Sequence, residues 1–321
     1  MENQELWDFR NPYEWMKKTA TSTLPPLIIC VAITGGVQGK EANPNLPETL
    51  EEQLEQTYES YKAGASMVHT HTRDPESMGD CTGEPERIRQ LNAMIREKCP
   101  DIIINNSTSA AYGMSIEDRI ACLNANPESA SLNLGPDMYK LKIKERKAPL
   151  LHPRKEQNLD SCTMATYNEI SIFARMMKEK GIRPEMELYH PGQYWVVRDL
   201  ISQGVIEPPF HIQYVLGYVT SIFPTPANLI SLVNELPPQT DFSVAGLGPY
   251  QLPMSAMSII MGGHVRVGME DNVYYKKGRL LKHNAEAVER IVRLSTELNR
   301  EIATPVQARK MLGFAQTPSM Y

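Results

Sequence analysis

Short apolar runs rich in β-branched residues recur along the chain, separated by longer stretches whose apolar positions return every three or four residues. The runs are PLIICVAI (26–33), SMVHTHT (66–72), DIIINNS (101–107), SASLNL (129–134), PEMELY (184–189), FHIQYVLG (210–217), DFSVAGL (241–247) and HVRVGME (264–270). Between and after them the spacing predicts helices over 48–62, 84–97, 115–125, 165–180, 193–203, 226–235, 251–261 and 284–300. Strand–helix alternation predicts parallel strands, and eight such units is the number that closes a (β/α)8 TIM barrel. An open doubly wound sheet usually has fewer strands and a glycine-rich phosphate turn after its first, and ITGGVQGKE is not a GxGxxG turn. Two stretches break the pattern. Residues 135–161, rich in Lys, Arg and Pro, read as a long loop bordering the active face, and the tail after Pro305 reads as a C-terminal extension.

The division expected is an N-terminal arm over 1–25 and one barrel domain over 26–321, a length that a single β/α barrel commonly fills. The arm carries Trp7, Phe9, Tyr13 and Trp15, which suit docking on the barrel or on a neighbouring subunit. It has neither the basic start nor the apolar run of a secretion signal, and no stretch has the apolar length of a membrane span, so the cytoplasm is the expected location. A net charge of -5 lacks the basic excess of a nucleic-acid binder and directs attention to small molecules. The five cysteines (Cys30, Cys81, Cys99, Cys122 and Cys162) have none of the paired spacings of a zinc ribbon or redox dithiol and read as reduced thiols.

Chemistry in a β/α barrel gathers where strands end and loops begin, so polar residues there are the candidates. In the second run, period-two alternation puts His69 and His71 on one face, where both can reach one ion; the plain alternative is a pair of hydrogen-bonded core histidines. The eighth run supplies a third ligand, because Glu270 and Asp271 follow it and cannot both point the same way. One of them can bind the metal while the other, held by Arg266, serves as a base; as a plain alternative, both simply cap the next segment and pair with Arg266. A His2Glu set leaves a coordination position open, which is the mark of catalysis rather than scaffolding. After the third run, Asn105, Asn106, Ser107, Thr108 and Ser109 form a hydroxyl–amide cluster able to hold a carboxylate or an oxyanion, though such a run is more often turn or capping chemistry. Ser131 and Asn133 after the fourth run, and Glu187 on the same face as Glu185 in the fifth, are further substrate-binding candidates.

These segments resemble the β-keto acid cleavage enzyme family from about Pro26 to Gly313. GASMVHTHTRDP joined in order to GGHVRVGMEDNVYYKKG is the specific signal, with NNSTS, FHIQYVLG, AGLGPYQLPM and ATPVQARKMLG in support. The resemblance implies a β/α barrel in which His69, His71 and Glu270 bind zinc, and a homo-oligomer, often a tetramer. It implies that Asp271, oriented by Arg266, takes a proton from C2 of a β-keto acid, and that Ser107, with Thr108 beside it, contacts substrate. Acetyl-CoA is the implied cosubstrate, and acetoacetate and a new acyl-CoA the implied products. Where the aminated-substrate member of the family carries a glutamate that holds the amino group, this chain has Val37, so a less cationic substrate is expected. Tyr218 to Phe223 and Pro249–Tyr250 also depart from the family pattern, in loops where the CoA or side-chain pocket would lie. The competing readings are a metal-dependent hydrolase or aldolase on the same barrel, since an open His2Glu ion can equally activate water, and a silent small-molecule binding protein.

Overall fold

A computed structural model describes residues 10–77, 81–108, 115–163, 165–218 and 220–321. A first helix, α1 (Pro12–Ala20), precedes β1 (Ile29–Ala32), α2 (Leu50–Lys62), β2 (Met67–Thr70), α3 (Pro85–Lys98), β3 (Ile103–Asn106), α4 (Ile116–Ala121) and β4 (Ser129–Asn133). There follow β5 (Asp137–Ile143), β6 (Gln157–Thr163), α5 (Tyr167–Lys180), β7 (Arg183–Leu188), α6 (Tyr194–Ser202), β8 (Phe210–Leu216) and α7 (Pro226–Asn234). The chain ends with β9 (Thr240–Gly246), α8 (Gln251–Met261), β10 (His264–Val267), β11 (Tyr274–Lys276), β12 (Arg279–Leu280), α9 (Asn284–Glu297) and α10 (Pro305–Leu312). Eight parallel strands close in the order β1-β10-β9-β8-β7-β4-β3-β2, the (β/α)8 barrel that the alternation predicts.

Each strand sends alternate residues to opposite sides of the wall. In β2 and β3, Val68 and Ile104 face outward into a cluster with Leu91 and Ile95 of α3, while Met67 and Ile103 face the barrel axis. Burying each such aliphatic side chain contributes about 1.5–3 kcal/mol, and this outer layer fixes which face of every strand looks inward. Helix starts follow local chemistry. Thr49 with Glu52, Thr166 with Glu169 and Thr304 with Gln307 form reciprocal capping boxes that satisfy the free amides of α2, α5 and α10. The 115–125 prediction divides into α4 and a 3-10 turn, Cys122–Ala125, which ends at left-handed Asn126.

One prediction is corrected. Residues 135–161 are not a loop: β5 and β6 pair antiparallel over seven positions, Asp137↔Thr163 to Ile143↔Gln157. Buried Arg146, beyond the paired stretch, donates to both carboxylate oxygens of Glu48 (2.7 and 2.9 Å) and to Glu41 Oε2 (2.9 Å), which clamps the hairpin to the loop after β1. In the tail after Pro305, Ala308 and Leu312 of α10 and Phe314 pack on Ile28, Cys30, Met67 and Ile103 and close the N-terminal mouth. At the other end of the chain, Trp7 and Phe9 lie outside the described residues; Trp15 Nε1 donates to Ile260 O and Arg10 Nη1 to Leu236 O, so α1 rests on its own barrel.

Beyond β10 the backbone turns at Gly268 (φ +141°), where an added Cβ would lie 2.1 Å from the carbonyl oxygen of Ala32. Neither the conformation nor the space admits a side chain, and Glu270 stands two residues on. Gly268→Ala is expected to lose at least about 2 kcal/mol of stability in urea unfolding. An unchanged midpoint would mean that β1 does not fix this turn.

Candidate active site

The barrel delivers polar residues to its C-terminal mouth from the ends of β2, β3, β7, β8 and β10. Register pairs Ala32 with His69 and His69 with Asn105, and β10 brings Arg266 opposite Cys30. His69 Nε2 lies 3.2 Å from His71 Nε2, and Glu270 Oε1 lies 3.6 Å from the first and 3.3 Å from the second. Three donors around one tetrahedral ion at about 2 Å would stand roughly 3.3 Å apart, so this triangle fits a single divalent cation. Each imidazole is held from behind: His69 Nδ1 is 3.0 Å from Asn105 Oδ1, and His71 Nδ1 is 3.2 Å from Cys81 Sγ. Such partners set the tautomer that turns Nε2 inward. Gly35 (φ +62°) makes room for the third donor, since a Cβ there would meet Glu270 Cγ at 2.7 Å.

Arg266 organises the carboxylates. Its Nε and Nη2 donate to the two oxygens of Asp271, 2.9 Å each, in a bidentate fork. Nη2 also donates to Glu270 Oε1, and Nη1 reaches Gln213 Oε1 at 3.2 Å and Glu187 Oε1 at 3.5 Å. The two adjacent carboxylates therefore separate, Glu270 toward the histidines and Asp271 along the guanidinium, yet both touch Arg266. Glu270 Oε2 is buried with no hydrogen-bond partner. Three carboxylates face one guanidinium, and a divalent cation would bring that sum of -3 and +1 to zero, a second sign that the residues fit a metal.

The same crowding moves the titrations. Burial holds His69 down at about 4, with the Arg266 charge adding to it. His71, although burial disfavours its cation, is raised to about 10 by the Glu270 carboxylate. Burial, with Glu270 alongside, raises Asp271 above the usual carboxylate range, and the Arg266 fork offsets this only partly. Glu187 is pushed up to about 7 by burial against the pull of Arg266.

The remaining candidates divide. Ser107, half-buried, donates its amide to Thr70 O (3.1 Å) beside His71. Thr108 and Ser131 are tied to each other, the Thr108 amide to Ser131 Oγ (3.0 Å) and its hydroxyl to Ser131 O (2.8 Å). Asn133 donates to Asp137 Oδ2 (3.2 Å) and accepts from the Gly135 amide (3.1 Å), stabilising the turn into the hairpin. Asn106 leaves the cluster expected of it: it points outward to Asn92 and Thr70, while Ser109 lies outside the described residues. Glu185 and Glu187 both enter the barrel, Glu185 one layer deeper, 3.7 Å from His211. Sequence reasoning missed Gln213, Asn105 as the His69 partner, and Cys81. Gln213 alternates with His211 inside FHIQYVLG and was legible as inward-facing polar; Cys81 carried no local signal.

Above Glu270 and Asp271 opens a cleft of about 370 Å³, walled by Val37, Leu141, Lys144, Tyr218 and Tyr250. Val37 and the altered loops therefore stand at the site.

A closed β/α barrel with three grouped donors that could hold a metal ion and a paired arginine–aspartate at its C-terminal mouth has the layout of an enzyme active site. The chain belongs to the β-keto acid cleavage enzyme family, whose model matches residues 26–314. It is 40% identical to the 3-keto-5-aminohexanoate cleavage enzyme of Fusobacterium nucleatum subsp. nucleatum over 89% of this chain and 97% of that protein. It is 32% identical to the 3-oxoadipate:acetyl-CoA acetyltransferase of Cupriavidus necator over 92% and 96%. Among solved structures, ObcA in its binary complex with oxaloacetate superposes with a TM-score of 0.69 at 19% identity, over 85% of this chain and 68% of that one, a likeness of fold.

If the triangle is a metal site, His69→Ala removes one of three donors and Asp271→Asn removes none. Elemental analysis of purified protein is expected to give about one zinc per chain for the parent and for Asp271→Asn, and at least ten-fold less for His69→Ala. Equal metal in parent and His69→Ala would remove His69 from the ligand set.

Proposed function

We propose that this protein condenses a β-keto acid with acetyl-CoA and cleaves the adduct to acetoacetate and a new acyl-CoA. The observation that carries the proposal is the Arg266–Asp271 fork set against the His69–His71–Glu270 donors, which joins a fixed carboxylate to a site for a divalent cation. The family and the acetyl-CoA-dependent Cupriavidus relative support it.

A zinc ion held by His69, His71 and Glu270 would draw electron density from the keto acid's oxygens and so acidify C2. Asp271 then takes the C2 proton, its carboxylate aimed by the two Arg266 hydrogen bonds. The carbanion attacks the acetyl-CoA carbonyl, which forms the new carbon–carbon bond and expels CoA as thiolate. That thiolate attacks the substrate's original ketone carbon. The bond between this carbon and C2 breaks, the electron pair returns to C2, and Asp271 gives its proton back, releasing acetoacetate. Glu187, Ser107 and Asn133 would hold the substrate's polar groups, with Thr108 and Ser131 bracing the strand ends that carry them. Two further features of the cleft favour a neutral or anionic side chain. Lys144 lines it, and the extra carboxylate there, Glu41, is already paired with Arg146 and Arg154.

Homotetrameric assembly and a cytoplasmic setting belong to the same reading, supported by the family resemblance. No helix among the described residues is long and apolar enough to cross a membrane.

Incubating metal-loaded protein with acetyl-CoA and cationic, neutral and anionic β-keto acids is expected to yield acetoacetate and one new acyl-CoA by mass spectrometry. No product with any acid would end the proposal. Neutral or anionic acids are expected to exceed 3-keto-5-aminohexanoate in kcat/KM by at least about ten-fold; the reverse order would return a cationic substrate. Asp271→Asn is expected to lower kcat by about 100- to 10,000-fold, and full activity would remove it as the base.

A further inference from the structure

The inside of a β/α barrel is ordinarily filled by branched apolar side chains, because polar groups there cost free energy unless each finds a partner. Three neighbouring strands of this barrel depart from that. Along β7, β8 and β9, Met186, Ile212, Tyr214, Phe242 and Val244 face the outer helices, and the inward positions alternating with them include Glu185, Glu187, His211, Gln213 and Ser243. All of these but half-buried His211 are buried. Register sets Gln213 beside Glu187 on one side and beside Ser243 on the other. A hydrogen-bonded chain rises from His211 to Arg266. His211 Nε2 lies 3.3 Å from Ser243 Oγ, within hydrogen-bond reach, and 3.7 Å from Glu185 Oε2, beyond it. Gln213 Nε2 donates to Ser243 Oγ (3.4 Å), and Gln213 Oε1 accepts from Arg266 Nη1 (3.2 Å). None of His211, Gln213 and Ser243 lines the cleft above Glu270 and Asp271.

We infer that Ser243, seated by His211, is a positioning residue for this site: it orients the Gln213 amide, which sets the plane of the Arg266 guanidinium and through it the aim of Asp271. The inference rests on the reading of Asp271 as the base and adds what holds that base in line from below. A guanidinium is rigid and planar, so its orientation is fixed once all three nitrogens are held. Nε and Nη2 are taken by Asp271 and Glu270, which belong to the same short segment as Arg266 itself. Nη1 is the nitrogen tied to other strands, to Gln213 and, at 3.5 Å, to Glu187. Gln213 serves only with its carbonyl oxygen toward Arg266, since the opposite turn would set its NH2 group against a cation that has no acceptor. With its hydroxyl proton given to His211 Nε2, Ser243 is an acceptor toward Gln213, and the amide nitrogen must face it. A misplacement of about 1 Å between a base and its reacting carbon can cost on the order of 100-fold in rate, so a small tilt of the fork is enough to matter.

A double-mutant cycle tests the linkage. With the metal-loaded protein and the keto acid it turns over, Ser243→Ala is expected to lower kcat by about 3- to 10-fold and Gln213→Ala by at least about 10-fold, with KM within about two-fold in both. Because Ser243 acts through Gln213, the double variant is expected to stay within about two-fold of Gln213→Ala alone. Two unrelated packing defects would instead multiply, and losses that multiply, or a KM that rises as kcat falls, would overturn the assignment. A second measurement needs no turnover. In protein labelled with 15N-arginine, the Arg266 Nε–H signal is assigned by its loss in Arg266→Lys. Its exchange with water is expected to be at least about three-fold faster in Ser243→Ala than in the parent. An unchanged rate would overturn the assignment whatever the keto acids do. A faster rate together with no product from any keto acid would leave the linkage and overturn the reaction.

Discussion

Arg266 is the residue on which the mouth of this barrel depends. Its guanidinium is buried, and so are Glu187 and Asp271, while half-buried Glu270 completes the carboxylates around it. Buried charges survive only when each is paired and hydrogen-bonded, and one planar fork cannot cancel three carboxylates. The arrangement therefore has an electrostatic deficit of positive charge at the point where two imidazole nitrogens and a carboxylate oxygen converge. A divalent cation would remove that deficit, and would tie metal affinity, the aim of Asp271 and the stability of the strand ends to one another. The fixed guanidinium also holds Asp271 apart from the three donors, the separation that the proposed base and the proposed metal site require.

The barrel supplies this cluster because its register does. Parallel pairing sets Ala32 beside His69 and His69 beside Asn105, so that a β-strand's two-residue repeat becomes a ring of inward side chains. The apolar layer outside the strands holds that register, since a one-residue slip would turn His69 into the helices and Val68 into the site. Below, α10 with Phe314 seals the opposite mouth. Above, the β5–β6 hairpin is pinned to the first loop by Arg146 on Glu48 and Glu41, giving one wall of the cleft a fixed position. Scaffold, seal and wall are thus separate pieces of the chain serving one site.

Much of this was legible in advance where local pattern and tertiary outcome coincide. The eight strands, the placement of the helices within a few residues, and the pairing of His69 and His71 on one face followed from periodicity. The hairpin did not, although Met138 to Ile143 alternates, because Lys140, Lys142 and Lys144 make a solvated edge look like a charged loop. Its paired partner, Gln157 to Thr163, lies more than a dozen residues on and is mostly polar, with Leu159 its one aliphatic residue. The role of the tail was equally hidden. ATPVQARKML announces a helix, but the barrel floor that receives it is assembled from β1, β2 and β3.

The sequence by itself determined the repeat and the barrel and marked His69, His71, Arg266, Glu270 and Asp271 as candidates, because strand and helix periodicities and donor chemistry are short-range properties carried within single segments. Only the tertiary structure decided that Glu270 faces the histidines while Asp271 lies along Arg266, that Gln213, Asn105 and Cys81 stand behind them, and that Asn106 turns away. Those outcomes depend on the closure of eight strands and on the packing of loops from opposite ends of the chain, and distances between residues two hundred positions apart are set by that closure and by no local preference.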